Sequence, residues 1–569
     1  MKNKFFLFIF TLICSVFAYT QNVPSKRVAR GYFRYGNYQQ SLIEFKKLRE
    51  KDSTSVEYNH KIGLCYLYSN IDKTRAVKYL EWVVNQRIYN TQALYDLGHA
   101  YMRAYLFDDA IEAFEKYIKL IRTDNNYIPA SRKIEMCNNA KELIESPINV
   151  SFENIKIFNS DAPDFNPYVT SDENLLIFNT KREGNVGRLL DYDGFYTADI
   201  MFSNNVNGKW GEPKRFPNTI NSPVVEEIVG LSPDGSHMFI YMENQIATGD
   251  IYLSMEQKRG YGRPEPLGQN INTKSIQTSA CISPNKRILF FSAILGDSYG
   301  GYDIYYSRKL PTGEWGGVVN AGTVINTLYD EEFFYIAPDG NTFYFASAGH
   351  NSMGGYDIFK SDWNNETMEF SKPKNIGYPI NTPDDNYTIS FTKSDRYAYI
   401  AAKRDDSSGD LDIYKVIFND VEPPMVLIEG YVLNPYLQTV FYAHRNKYNE
   451  KVSLFAYLDS LKFRPNSKRD SLRIIRNNPY IFDKLIELDD IKNEKLNVEI
   501  IVHNVRTKEL AGKYRPNPNT GKYIVILPPG EYNFVYYASG YLPKTKDIII
   551  PEHESFSFSE DLNVVMEIE

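Results

Sequence analysis

At 569 residues the chain is too long for one hydrophobic core and has room for about three or four domains. Hydrophobic residues make up 43% and charged residues 24%, with 33 Gly and 28 Pro, a balance that excludes the disordered and fibrous classes. The formal net charge of −7, with both signs interspersed, argues against nucleic acid as a partner, and 45 Tyr and 34 Phe beside 4 Trp point to extensive exposed β surface.

Residues 1–20 read as a secretory signal peptide: Lys2 and Lys4 precede the apolar run Phe5 to Phe17, and Ala18 and Thr20 are small residues before Gln21. Cys14 follows Ile13 inside that run, which disfavours lipidation. No later run reaches about 18 apolar residues, so no membrane-spanning helix is expected. The mature cysteines, Cys65, Cys137 and Cys281, are too few for a disulfide framework; each reads as a small buried hydrophobe, with a Cys65–Cys137 bridge left open.

Residues 22–147 have a helical pattern with a repeat of 34 to 35 residues. Gly36, Tyr38, Ser41 and Phe45 are echoed by Gly63, Tyr66, Ala76 and Leu80, and again by Gly98, Tyr101, Ala110 and Phe114; in the first unit Ala29 stands in place of the helical glycine. At this spacing each unit is a pair of antiparallel helices, small residues permitting close approach while Ala110 and Phe114 fill the contact. The pattern resembles the tetratricopeptide repeat, with Tyr127 to Ile144 as a capping helix. Such an α-solenoid implies a concave face for a peptide or protein, the alternative being an array that only orients the next domain.

Residues 150–420 change to short alternating strands on a beat of 51 to 55 residues. Asn221, Asn272, Asn326 and Asn381 keep this beat, with Asn159 earlier, as do the aromatic positions Trp210, Tyr261, Trp315 and Phe370. Turns recur at Thr170, Ser232, Ser283, Ala337 and Thr392, with Gly235 and Gly340 placed to take left-handed backbone. An Asp-Ile strand follows at Asp199, Asp250, Asp303, Asp357 and Asp412. Five units of four strands closing round an axis make a five-bladed β-propeller, which removes exposed edges. The segment resembles the WD-repeat-like propeller repeats with an SPDG turn found in exported bacterial proteins. The repeated Asp reads as an acceptor of backbone N–H bonds from a neighbouring turn, with a metal-lined channel or Ca²⁺ as the lesser reading. Glu226-Glu227, Glu331-Glu332 and Asp384-Asp385 form a second periodic set, expected to pair with donors between units. Gly301 and Gly355 lie in strand context with no following Lys-Ser/Thr, so they are not phosphate loops.

Residues 424–569 alternate again. Asn519-Thr520-Gly521 and Pro528-Pro529-Gly530 are turns around strands whose alternate positions are Tyr523, Val525 and Leu527, then Tyr532, Phe534 and Tyr536. This reads as a β-sandwich of about seven strands. Residues 425–441 and 498–548 resemble the carboxypeptidase-regulatory-like, transthyretin-like domain, and the charged stretch 444–495 departs from its compact form.

Catalytic groupings are missing from the pattern. The 7 His form no zinc spacing, no GxSxG elbow is present, and His237 and His350 read as surface residues. No catalytic or metal residues and no cofactor are therefore expected; the residues singled out are structural, and the binding residues are unassigned.

The order of signal peptide, tetratricopeptide repeats, SPDG-type propeller and regulatory-like sandwich resembles a family of periplasmic Bacteroidota proteins related to the type IX secretion and gliding-associated OmpA-family proteins. That resemblance implies a non-enzymatic periplasmic scaffold or adaptor, peripheral to the outer membrane and bound to an envelope or outer-membrane protein. The alternatives are an envelope glycan- or peptide-binding module and a structural spacer. Here the sequence reaches DLNVVMEIE where the family would begin its OmpA-like module, so no direct peptidoglycan binding is expected. If the leader reading is right, N-terminal sequencing of the mature protein will begin between Tyr19 and Val23; a retained Met1 on cytoplasmic material would refute it.

Overall fold

The computed structural model describes residues 24–243, 249–433, 496–518, 521–554 and 562–569. The expected leader, the stretch 444–495 and the turn residues Asn519 and Thr520 lie outside the described residues. The chain forms two compact units that part at Val421 and Glu422.

The first unit begins with helices α1 (Lys26–Arg34), α2 (Tyr38–Lys51), α3 (Val56–Leu67), α4 (Arg75–Val84), α5 (Gln92–Arg103), α6 (Phe107–Leu120) and α7 (Ala130–Glu145). Short connections fold each helix back on the one before, and consecutive helices pack. Local chemistry starts them: the Asn37 side chain accepts from Gln40 N at 3.1 Å and Ser55 Oγ from Tyr58 N at 3.4 Å, while Asp108 and Asp109 sit in the first turn of α6.

Two glycines mark close helix approach. A Cβ on Gly98 would lie 2.7 Å from the Phe114 ring, and one on Gly63 would lie 2.8 Å from Leu80. Ala110 and Phe114 are fully buried. Gly36 does not belong with these glycines. It has φ +79°, and a Cβ there would meet nothing within 4 Å, so it makes the α1–α2 turn. Ala29 takes the helical register instead, fully buried and accepting the Ser41 hydroxyl at 3.0 Å.

Five antiparallel sheets follow. Their innermost strands are Asp164–Val169, Glu226–Leu231, Gln277–Ile282, Glu331–Ile336 and Ile389–Phe391. The earliest strand, Val150–Asn154, pairs with Asp412–Phe418 and so completes the fifth sheet, with Val150 opposite Phe418. Because the first sheet packs on the fifth, the ring closes as a β-propeller. The central core runs through all but one of the sheets, from Tyr168 and Ile200 to Tyr335 and Ile400.

The Asn beat has a physical cause. Asn221 Oδ1 accepts from Ile200 N at 3.0 Å and its Nδ2 donates to Ile200 O at 2.9 Å. Asn272 clamps Ile251, Asn326 clamps Ile304, Asn381 clamps Ile358 and Asn159 clamps Ile413 in the same way. The neighbouring Asp is held as well. Asp303, Asp357 and Asp412 accept the backbone N–H of Tyr299, Met353 and Ser408 at 2.9, 2.9 and 2.7 Å, and a side-chain amide from Asn320, Asn375 and Asn154. Asp199 accepts from Val186 N and pairs with Arg215, both at 2.9 Å, whereas Asp250 is half-buried. Trp315 is buried, and half-buried Trp210 donates its indole N–H to Tyr399 OH at 3.2 Å.

The fourth turn residue is left-handed in every sheet: Glu173, Gly235, Lys286, Gly340 and Asp395 have φ between 59° and 79°. At Gly340 a Cβ would also stand 2.6 Å from Pro284, and at Gly235 it would stand 2.9 Å from Thr170.

In the second unit Val426–Leu433 lies between Lys522–Leu527 and Val564–Val565, while Val498–Asn504 and Gly530–Ala538 pair at the centre of a four-stranded sheet. Tyr523, Val525, Leu527, Tyr532, Phe534 and Tyr536 point into one core with Ile428 and Val502. Gly521 has φ +68°, and a Cβ there would stand 2.1 Å from Val432 O. The Pro528 carbonyl accepts the Tyr532 hydroxyl at 3.0 Å before Gly530 opens the next strand.

Gly98→Leu and Gly340→Val should each lower the unfolding free energy by about 1–3 kcal/mol in urea titrations, through overpacking and through a β-branched residue at positive φ respectively. Unchanged midpoints would show that these positions have been misassigned.

Candidate functional site

Helices and propeller meet at a charged junction that the chain assembles from residues far apart in sequence. Arg103, at the end of α5, is buried; its guanidinium donates to Asp384 Oδ1 at 2.6 Å and to the Pro383 carbonyl. Lys73 Nζ reaches the same Asp384 oxygen at 2.6 Å. Burial opposes ionisation of Asp384, but Arg103 and Lys73 outweigh it and hold the carboxyl below its usual range. Asp384 is therefore a partner of the helices, whereas Asp385 accepts Tyr356 N of the neighbouring sheet at 3.1 Å, the kind of inter-unit donor its periodicity suggested.

Helix α7 supplies the second part. Arg132 Nη2 donates to the carbonyls of His350 at 2.8 Å and Ala348 at 3.2 Å, Lys133 Nζ to Gly354 O at 2.9 Å, and Asn139 Nδ2 to Ser352 O at 3.0 Å. Burial, reinforced by Arg103, lowers the Lys133 ammonium to about 8. Met353 of the propeller is fully buried in the helical core beside Met136, Cys137 and Ala140. His350 is consequently not a surface residue: its ring is half-buried against Phe345 and Phe359 and bonds the Ile325 carbonyl at 2.9 Å. His237 is half-buried too.

Two further contacts widen the junction. Asn70 Nδ2 donates to Asp410 Oδ1 at 2.6 Å, and Tyr35 stacks on Tyr192, with centroids 5.2 Å apart. Tyr192 lies in the insertion after the second strand of the first sheet. Part of the loop-bearing propeller face is thus covered by the helices.

The glycine pairs serve this face. A Cβ on Gly301 would stand 1.8 Å from Asp330 Oδ1, and one on Gly355 would stand 1.7 Å from Asp385 Oδ1. The next amides, Tyr302 N and Tyr356 N, donate to those carboxylates at 2.8 and 3.1 Å. Tyr356 OH bonds Asp330 at 2.9 Å and Glu332 at 2.6 Å, and Tyr127 OH of the helical segment also bonds Asp330.

Three cavities open on the first unit, one of them at these contacts. One of about 130 Å³ lies at the junction beside Lys73, Asp385, Tyr387 and Arg404. Another of about 580 Å³ opens between the second and third sheets beside His237, Arg263, Lys309 and Trp315. The third, of about 200 Å³, lies over α4, α5 and α6 beside Glu81, Tyr101, Asp109 and Glu112.

Among the described residues no three His, Cys, Asp or Glu side chains converge as a metal site. Cys65, Cys137 and Cys281 are free and buried; burial pushes the Cys65 thiol up to about 11 and Cys137 up to about 12, which removes thiolate character at neutral pH. The sequence reading missed a His60–Asp96 pair at 2.7 Å, brought together by α3 and α5 from 36 residues apart. It bears the His–carboxylate chemistry of an acid–base pair, but it lies inside the helical array, and among the described residues no hydroxyl or thiol bonds the ring.

No family model matches the chain, and no curated protein matches it. Solved structures similar to it include a putative TolB from Agrobacterium tumefaciens, 15% identical over 48% of this chain and 86% of that one, with a TM-score of 0.30. TolB from Acinetobacter baumannii is 16% identical over 47% of this chain and 56% of that one, TM-score 0.28. The periplasmic gluconolactonase of Pseudomonas aeruginosa is 12% identical over 46% and 74%, TM-score 0.24.

A buried carboxyl at three of the five joints between sheets makes the ring sensitive to pH. Equivalent positions carry Asp164, Glu226, Gln277, Glu331 and Asn386; Glu331 accepts from Thr327 N at 2.8 Å and Ser347 Oγ at 2.6 Å. Burial, with Asp303 nearby, pushes Glu331 up to about 8. A raised carboxyl stabilises the fold fully below its unfolded value near 4.5, and that contribution is lost as pH rises through about 8. Glu331→Gln should therefore be near neutral at about pH 5 and stabilising by about 1–3 kcal/mol at about pH 9 in urea titrations. A penalty that grows with pH would contradict this.

Proposed function

We propose that the protein is a non-enzymatic periplasmic scaffold or adaptor that binds an envelope or outer-membrane protein, related to the type IX secretion and gliding-associated family. In this reading the helices are a tetratricopeptide array, the second unit is a transthyretin-like sandwich, and residues 1–20 direct export. The observation that carries it is the junction itself: buried Arg103, Arg132 and Lys133 of the helices donate to propeller carbonyls and to Asp384. Two repeat surfaces are thereby fixed to one another as a single body, which supports a large recognition surface more readily than a catalytic cleft. A stable interface needs about 1,200–2,000 Å² in total, an area for which the helical array and the open propeller loops are the surfaces proposed.

Chemical crosslinking in isolated envelopes, followed by affinity purification of the full chain, should recover one envelope protein in a stoichiometric complex. Purified protein alone should fail to sediment with isolated peptidoglycan. Stoichiometric sedimentation with protein-free cell wall at physiological salt would overturn the adaptor reading in favour of glycan binding.

A further inference from the structure

The connection between strands Tyr397–Ala402 and Asp412–Phe418 carries Lys403 and Arg404, both half-buried and both lining the cavity of about 130 Å³ at the helix–propeller junction. Neither meets a carboxylate among the described residues. Lys403 Nζ donates to Gly409 O at 2.7 Å, and the Arg404 guanidinium lies over the Phe152 ring, 3.7 Å from its centroid.

The nearby acids are engaged elsewhere. Asp384 is held by Lys73 and Arg103, Asp385 accepts Tyr356 N, Asp410 accepts the Asn70 amide and Asp406 accepts the Tyr414 hydroxyl. With Lys73 on the helical side, three cations face a cavity lined by two carboxylates. The rest of the wall combines Ile380, Ala402, Leu411 and Tyr387 with the polar side chains of Asn70, Thr382 and Asn386. Partly desolvated cations without counter-charge raise the free energy of the empty site, and an anion placed between them would relieve it.

We infer that this cavity binds a carboxylate carried on a short apolar group, as in the C-terminal residue of a peptide, with Lys403 and Arg404 holding the carboxylate. Its volume is well below the roughly 300 Å³ at the lower end for drug-sized ligands, which limits the occupant to about one amino-acid residue. Guanidinium and ammonium groups together suit a carboxylate, and the Ile380 and Leu411 side suits a small aliphatic side chain. The inference goes beyond the adaptor reading and does not depend on it.

The test is titration calorimetry of the full chain with N-acetyl-alanyl-alanine, its C-terminal amide and inorganic phosphate. The free-carboxylate peptide should bind at least tenfold tighter than the amide. Lys403→Gln and Arg404→Gln should each weaken it about tenfold, whereas Lys374→Gln, an exposed cation outside the cavity, should leave it unchanged. Should Arg404→Gln fail to fold for want of its contact with Phe152, Lys403→Gln decides the matter. Equal binding of acid and amide, no binding of the acid up to ~10 mM, or binding of phosphate alone would each overturn the assignment.

Discussion

Every sheet of the propeller depends on one asparagine, buried at Asn221, Asn326 and Asn381 and half-buried at Asn159 and Asn272, that satisfies both backbone groups of a single isoleucine. Each of these isoleucines is buried in the third strand of its sheet, where an unpaired backbone group would cost about 1–3 kcal/mol. By taking Ile304 N and O at once, Asn326 stops the third sheet from fraying at the point where the chain leaves for the fourth. The strand that begins there then donates Glu331 N to Tyr302 O at 2.7 Å, and Asn386 N donates to Tyr356 O at 2.7 Å one joint later. The ring is therefore spliced by backbone bonds whose geometry the asparagines set. Asp199, Asp303, Asp357 and Asp412, beside four of these isoleucines, brace the preceding loop, which explains why Asp-Ile and Asn recur together.

The helical array is tied to this ring chiefly by cations meeting carbonyl oxygens. Burying Arg103, Arg132 and Lys133 is costly unless each finds several acceptors, and the propeller loops present them in clusters around Gly354, Ala348 and Pro383. Asp384 remains 39% exposed, so its pairing with Arg103 is partly screened by water. Apolar packing of Met353 into the helical core adds the non-directional part of the adhesion. Such a junction both fixes the relative placement of the helices and ring and leaves a polar crevice at its margin.

Much of the fold was legible because repeats turn weak local signals into a register. The beat of Asp-Ile, turn and Asn marked five units, and the 34 to 35 residue period marked the helix pairs, since each unit must bury the same face against the next. Alternation at Tyr523, Val525 and Leu527 marked the core side of a strand in the second unit. Errors arose where a residue kept the beat for a different reason. Gly36 resembled the packing glycines but serves a turn, and Asp384 resembled Glu331 although Asn386 is the residue in that register.

The sequence by itself determined the period, the strand and helix patterns and the left-handed turn glycines, because these depend on side chains within a few residues of one another. Only the tertiary structure decided which charges meet. Arg103 and Asp384 are 281 residues apart, Lys133 and Gly354 are 221 apart, and His60 and Asp96 belong to different helices. Lys403 and Arg404 look like any other pair of surface cations in the chain. That they meet no carboxylate among the described residues follows from how the ring closes and where α5 and α7 rest on it, and no local pattern encodes that.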